Sequence, residues 1–160
     1  YKREDTVNYL DKVISEYIST ALATPNLNVN ISQALSSYYL MLVDIERISD
    51  YAMNMNHQAT KRLQGDMTIS EIEIVEHMKK LCVDMKNDLS DVEEAERKDD
   101  VIDSLVSSWR EAQIQALKQK KCSSEVSMML SRIFTDFERI NDHALNVSQE
   151  LDKITFEIPD

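Results

Sequence analysis

The sequence predicts an all-α protein, an antiparallel helix bundle of about five helices. Three observations support this prediction. The 160 residues contain one glycine and two prolines, which leaves few residues for the many turns of an all-β fold. Apolar residues recur at the three- and four-residue spacing of amphipathic helices. The segments between these patterns are short, and short connections favour antiparallel packing of neighbouring helices.

The first two helices are separated by a segment rich in turn-forming residues. The first helix is expected from about Arg3 to Ala23, because the ring of Pro25 disfavours the α conformation at the residue before it. The second is expected from Val29 to Leu63. Gly65, the only glycine, is suited to cap its C-terminal end.

Serine caps predict where the next two helices begin. Ser70 and Glu73 have the spacing of a capping box, in which each side chain accepts a hydrogen bond from a backbone N–H at the start of the helix. They predict a third helix over about 71–88. Ser90 and Glu93 repeat the spacing and predict the start of a fourth helix.

The fourth helix is expected to break near Lys98-Asp99-Asp100. A fifth helix is predicted over about Ser124–Lys153, after basic residues suited to a helix C-terminus and a serine suited to an N-terminal cap. It has the clearest apolar stripe of the chain, formed by Val126, Leu130, Ile133, Phe137, Ile140, Ala144, Val147 and Leu151.

An internal duplication relates these helices. A shift of 92 residues aligns Asp44–Asn54 with Asp136–Asn146, and seven of the eleven positions are identical. A shift of 95 residues aligns the first helix with the fourth, placing Leu10 on Leu105. Each copy therefore contains a helix, a turn and a motif-bearing helix. The repeat is too long for a solenoid unit, so we expect two related bundles.

The repeated segment Asp-x-Glu-Arg-Ile-x-Asp-x-Ala-x-Asn resembles the signature of PhoU domains. PhoU domains contain two three-helix repeats, each with a Glu/Asp-x-x-x-Asp pair. The C-terminal part, with Trp109-Arg110-Glu111 and Phe137–Asn146, is similar to the PhoU-like tail of bacterial sodium/phosphate cotransporters. The resemblance implies a first repeat at 1–65 that lacks its leading helix and a complete second repeat at 66–160. Together they would form one PhoU-like domain.

The lack of a leading helix in the first repeat has a structural consequence. The first two helices would expose an apolar face that a three-helix bundle buries. We therefore expect these residues to be part of a longer membrane protein. The expected partner is the transmembrane transporter portion of the same chain, and the expected location is the cytoplasmic face of a bacterial inner membrane. A homodimer is an alternative association.

The function implied by the resemblance is non-enzymatic regulation of sodium-dependent phosphate transport. One alternative is a free-standing PhoU-type negative regulator of phosphate ABC uptake and signalling. A second is a metal-binding helical interaction module. A metal-dependent hydrolase would also use carboxylates, but the sequence presents no nucleophile with a base and no glycine-rich phosphate cradle.

The composition excludes several classes of partner. A net charge of −11 repels nucleic acid and anionic lipid headgroups. Two cysteines without CxxC spacing suggest neither a disulfide framework nor a thiolate metal site. No stretch approaches the roughly 18 apolar residues that a bilayer crossing requires, so direct membrane insertion is not expected.

Paired carboxylates are the candidate metal ligands. Glu46 and Asp50 lie four residues apart on one helix face, and Glu138 and Asp142 repeat the pair. Oxygen ligands of this kind suit magnesium, manganese, calcium or iron. The resemblance adds Asp11, because PhoU proteins complete each pair with carboxylates from a neighbouring helix. We therefore predict a divalent or iron-type ion as the candidate cofactor.

The completing carboxylates are sparse in this chain. Asp11 is followed by Ser15, and the matching region of the second repeat contains Arg110 with only Asp103 nearby. A structural ion-pair network is therefore an equal alternative to a metal site. His143 could add a nitrogen ligand, but its repeat counterpart is a tyrosine, which argues against a required ligand.

Overall fold

The computed structural model describes residues 2–62 and 69–157. Within these ranges the chain is all-α, as predicted, and contains no strand. The helices are α1 (Lys2–Leu22), α2 (Val29–Arg62), α3 (Ile69–Asn87), α4 (Val92–Lys118) and α5 (Ser124–Glu157). The predicted cap Gly65 lies outside the described residues.

The third helix, Ile69–Asn87, agrees with its predicted bounds to within two residues. The predicted cap of the fourth helix is wrong. The fourth helix is capped by Asp91 and not by Ser90. A carboxylate oxygen of Asp91 accepts the backbone N–H of Glu94 at 3.1 Å, and a carboxylate at a helix N-terminus is also favoured by the helix dipole.

The predicted break at Lys98-Asp99-Asp100 is also wrong, because α4 continues through these residues. Their charges are compatible with the helix. Lys98 forms an ion pair with Asp88, the residue after α3, and its ammonium lies 3.9 Å from the carboxylate of Glu94, one turn earlier. Neither proline nor glycine occurs in the segment, so nothing interrupts the backbone hydrogen bonds.

The turns of the two repeats have similar chemistry. Asn26 in the first and Lys120 in the second adopt the left-handed backbone conformation, with φ of 60° and 56°. Each turn is followed by a side-chain cap. Asn28 accepts from the N–H of Asn30 at 2.8 Å, and Ser123 accepts from the N–H of Val126 at 3.2 Å. Each helical hairpin thus ends one helix and starts the next within a few residues.

The two motif-bearing helices, α2 and α5, pack against each other at the centre of the molecule. They run antiparallel, because Met41 packs with Val147 and Ile154, whereas Tyr51 lies beside His143. Helix α1 packs on α2, and α4 packs on α5. Helix α3 contacts α4 and α5. The second hairpin therefore has a covering helix of its own.

The main hydrophobic core lies in the second half of the molecule. The predicted apolar stripe of α5 is buried from Val126 to Val147, and Leu151 is half-buried. Helix α3 contributes Met78 and Met85 to this core, and α4 contributes residues such as Val106.

The expected apolar face of the first two helices is confirmed as exposed. Among their described residues, only Ile18 and Met41 are buried apolar side chains. Many large apolar side chains of α1 and α2 remain accessible, including Tyr9, Leu10, Val13, Tyr17, Ile31, Tyr38 and Ile45. None of the described helices has an apolar stretch long enough to cross a membrane.

Candidate functional site

The two copies of the repeated motif occupy equivalent places on α2 and α5. Each has a carboxylate pair four residues apart, one helical turn, so both members face the same side. In α2 the pair is Glu46 and Asp50, and in α5 it is Glu138 and Asp142. The surroundings of the two pairs differ.

The first pair lies next to α1. Partial burial raises the pKa of Glu46, and the carboxylate of Asp50 raises it further. Arg47 opposes this effect, whereas Asp11 adds to it. The charges of Asp11 and Asp50 thus both act on Glu46.

In the second pair, Glu138 is bound by a cation from α4. Arg110 Nη2 lies 2.5 Å from Glu138 Oε2 and also donates to the hydroxyl of Thr135 at 3.1 Å. Both members of the ion pair are about one-third exposed, so the pair holds α4 against α5 under partial solvent screening. The guanidinium occupies one side of the carboxylate where a metal ion would have to bind.

Asp142 instead faces carboxylates of α4. Partial burial raises the pKa of Asp142, and the neighbouring charge of Asp103 raises it further. Burial also raises the pKa of Asp99, with added effects from Asp103, Asp142 and Asp100. Asn141 is buried and donates a hydrogen bond to Asp99, which partly offsets the repulsion.

Asp99 is a member of this acidic group that sequence reasoning missed. The sequence spacing could have identified it, because Asp99 and Asp103 lie four residues apart, as do the carboxylate pairs on α2 and α5. The predicted helix break at Lys98-Asp99-Asp100 conceals this spacing. In the continuous helix both aspartates lie on the side of α4 that faces Asp142.

The donor set argues against a multinuclear metal centre. Within residues 2–62 and 69–157, no three His, Cys, Asp or Glu side chains are arranged to hold an ion. The charges acting on Asp142 come from α4 and α5, and those acting on Glu46 come from α1 and α2. The two groups are therefore electrostatically separate, and one of them contains the Arg110 cation. Metal binding by Asp11, Glu46, Asp50, Glu138 and Asp142 stays a prediction.

His143 is engaged in the contact between α2 and α5. Its Nδ1 lies 2.6 Å from Asp44 Oδ1, and Asn146 donates to the same oxygen at 3.3 Å. The imidazole of His143 stacks on the ring of Tyr51, with centroids 5.7 Å apart. The guanidinium of Arg139 lies over the Tyr51 ring, 5.3 Å from its centroid. The histidine therefore joins the two repeats through an interhelical hydrogen bond.

Position 143 and its repeat counterpart, residue 51, meet in the same contact. The duplicated sequence has Tyr51 in one copy and His143 in the other, and these two rings stack on each other. The difference between the copies therefore creates an asymmetric interface. His143 also lies close enough to Asp142 for its charge to lower the pKa of that carboxyl.

Comparisons with known proteins agree with the repeated motif. A sequence model of the PhoU domain matches residues 69–151, which include all of α3 and α4 and most of α5. The chain is also similar to the phosphate-specific transport system accessory protein PhoU homolog 1 of Thermotoga maritima. The two are 24% identical over 160 aligned positions, which cover 92% of this chain and 68% of that protein. No solved structure matches the chain at a significant level. Because the PhoU domain match covers more than half of the residues, this chain belongs to the PhoU domain family.

Proposed function

We propose that the chain regulates phosphate transport as the cytoplasmic domain of a sodium-dependent phosphate transporter. Its partner would be the transmembrane portion of that transporter. The role in phosphate transport is supported by family membership and by a relative that is named as an accessory protein of a phosphate-specific transport system. The link to a sodium-dependent transporter is supported by the likeness of Trp109-Arg110-Glu111 and Phe137–Asn146 to cotransporter tails.

The regulation would act through contacts of helices and not through catalysis. The exposed apolar face of α1 and α2 supports this, because large accessible apolar surfaces commonly mark interaction sites. The half-buried thiol of Cys82 is a poor nucleophile, since burial raises its pKa to about 11. Glu138, the most direct candidate for a general base in the motif, is bound by Arg110.

A second candidate function is a free-standing regulator of an ABC-type phosphate transporter. The name of the Thermotoga relative favours it, since an accessory protein is a separate component of a transport system. The two candidates differ in the transporter that is controlled and in its energy source.

Phosphate uptake in the native host distinguishes them. Uptake of radiolabelled phosphate is measured with and without the coding region for this chain, in sodium medium and in choline medium. The first proposal predicts that the deletion changes only the sodium-dependent component. A change confined to sodium-independent, ATP-driven uptake would support the second candidate. Unchanged uptake in both media would contradict both.

Metal binding is tested separately, with purified protein. We propose that any ion binds as a single, weakly held cation at the acidic groups, because few carboxylates converge there and affinity rises with their number. Metal analysis and calorimetry with magnesium, manganese and iron(II) compare the parent protein with a Glu138→Gln, Asp142→Asn variant. Binding no stronger than that of the variant would remove these two residues from the proposed ligand set.

A further inference from the structure

The second repeat contains a site for a guanidinium between α4 and α5. Arg110 Nη2 lies 2.5 Å from Glu138 Oε2 and donates a hydrogen bond to Thr135 Oγ1 at 3.1 Å. The same guanidinium lies over the ring of Phe134, 5.8 Å from its centroid. The carboxylate, the hydroxyl and the ring that hold it therefore belong to five consecutive residues of α5.

The hydroxyl of Thr135 is oriented to accept a hydrogen bond from outside its own helix. Thr135 Oγ1 donates its one hydrogen to the backbone carbonyl of Ser131 at 3.0 Å. Its lone pairs are thus left for a donor, and a guanidinium consists of donors only. Because arginine is not deprotonated in proteins, a permanent positive charge is fixed beside Glu138.

The first repeat keeps the carboxylate of this site but none of its other parts. The two shifts of the duplication pair each residue of the site with a counterpart on α1 or α2. These pairs are Arg110 and Ser15, Phe134 and Leu42, Thr135 and Val43, and Glu138 and Glu46. Only the glutamate is common to both repeats. The cation, the aromatic ring and the threonine hydroxyl therefore occur together in one repeat and are replaced together in the other.

A carboxylate of the first repeat is also replaced in the second. Asp11 of α1, which acts electrostatically on Glu46, aligns with Val106 of α4. Val106 is 0% exposed and belongs to the main core. A carboxylate there would be buried among apolar side chains at a high cost in free energy. The second repeat thus has an apolar side chain and a cation where the first has a carboxylate and a serine.

The contacts of Arg110 link two helices. The residue lies on α4, whereas Glu138 and Thr135, which bind its guanidinium, lie 28 and 25 residues further along the chain on α5. A metal ion shared by carboxylates of neighbouring helices would link them in a comparable way. In the second repeat this link is formed by a side chain of the protein itself.

We propose that Arg110 is a resident counter-cation, which takes the place of a metal ion at Glu138 and makes this copy of the motif independent of metal. The family resemblance implies a metal ligand at Glu138, so the chain departs from the family pattern at this position. A divalent ion is repelled by the guanidinium, which lowers the affinity of Glu138 for that ion. The proposal does not depend on a role in phosphate transport, and it concerns no carboxylate other than Glu138.

The variant Arg110→Met tests the role of the charge, because it removes the guanidinium and keeps an apolar stem beside Phe134. Binding of manganese(II) to the purified chain is measured by calorimetry. Arg110→Met should bind manganese at least about fivefold more tightly than the parent protein, since repulsion by a neighbouring positive charge is lost. Adding Glu138→Gln to Arg110→Met should abolish this gain.

Arg97→Met is the matched control. Arg97 also lies on α4, but it is exposed and pairs with Glu94 of its own helix. Its replacement removes the same unit of charge away from the motif and should leave manganese affinity unchanged. Arg110→Lys retains the positive charge and should exclude manganese as the parent protein does. Circular dichroism verifies that each variant is folded.

The single variant Glu138→Gln provides a test that does not require Arg110→Met to fold. If Arg110 occupies the place of the ion, Glu138 is no ligand in the parent protein, and Glu138→Gln should leave manganese affinity unchanged. This result is distinct from the uptake measurements, which test the role in phosphate transport.

Three results would overturn the proposal. One is manganese binding by the parent protein that Glu138→Gln weakens, because Glu138 would then be a ligand despite Arg110. Another is equal manganese affinity of the parent protein and Arg110→Met. A third is an equal gain in affinity in Arg97→Met or in Arg110→Lys, because the gain would then not depend on a positive charge at residue 110.

Discussion

The first hairpin, α1 and α2, and the second hairpin, α4 and α5, share a motif but differ in their cover. In the second, α3 closes the apolar side, and Phe137 is fully buried. In the first, the equivalent Ile45 is 44% exposed. The helical pattern therefore determines which side of a helix is apolar, whereas burial of that side depends on a third helix.

The carboxylates of the two motifs also differ in their partners. Asp44 accepts hydrogen bonds across the α2–α5 contact. Burial raises the pKa of the equivalent Asp136, and the charges of Arg139 and Arg132 oppose that effect. One copy of the aspartate therefore joins the repeats, whereas its counterpart is partly desolvated beside arginines of its own helix.

The largest difference is expected from truncating the equivalent apolar pair. Phe137→Ala should lower the free energy of unfolding by about 3–5 kcal/mol, because it leaves a cavity in a close-packed core. Ile45→Ala should lower it by less than about 1 kcal/mol, since the side chain is half exposed. Urea unfolding followed by circular dichroism measures both, and equal losses would contradict the difference in cover.

A smaller difference is expected from the equivalent aspartates. Asp44→Ala should destabilise the protein by about 1–3 kcal/mol, because it leaves His143 without its partner in a partly buried contact. Asp136→Ala should change stability by no more than about 0.5 kcal/mol, because the cost of desolvating its charge offsets its attraction to the arginines. Thermal unfolding at pH 7 compares the stabilities of the two variants. A larger loss of stability in Asp136→Ala than in Asp44→Ala would contradict the claim that Asp44 joins the repeats.

The smallest effect is expected from the acidic group on α4 and α5. The pKa of Asp142 is raised in the folded protein, so its ionised form opposes folding above that pKa, and this penalty disappears as the pH falls below the unfolded value. Asp142→Asn should therefore stabilise the protein at pH 7. The gain should be a few tenths of a kcal/mol, because the side chain is exposed and screened.

The pH dependence provides the control for this prediction. The stability difference between Asp142→Asn and the parent protein should shrink as the pH falls through about 4 and vanish near a pH of about 3, where the aspartate is protonated in both states. A difference that is constant between pH 4 and pH 7 would mean that the substitution acts through packing.

The sequence predicted the helices and the apolar stripe of α5 well, because both follow from local spacing. It also predicted the exposed face, since the 160 residues contain no counterpart of α3 ahead of α1. Helix starts were less accurate where serine and aspartate compete. Asp91, next to Ser90, is the residue that caps α4.

The partners of the polar residues were harder to predict. Arg110 and Glu138 are 28 residues apart in sequence, and Asp44 and His143 are 99 apart. Helical spacing shows which face a side chain occupies, but it does not show which helix lies opposite. Arg110 was expected near the motif, whereas its pairing with Glu138 required the relative positions of α4 and α5.

Hydrogen exchange of α1 and α4 most directly tests the claim that the first hairpin lacks cover. The central amides of α1, residues 10–18, align with residues 105–113 of α4. We expect the amides of α1 to exchange at least about tenfold faster, because local opening of α1 exposes fewer buried contacts. Equal protection of the two helices would contradict the claim that the first hairpin lacks cover.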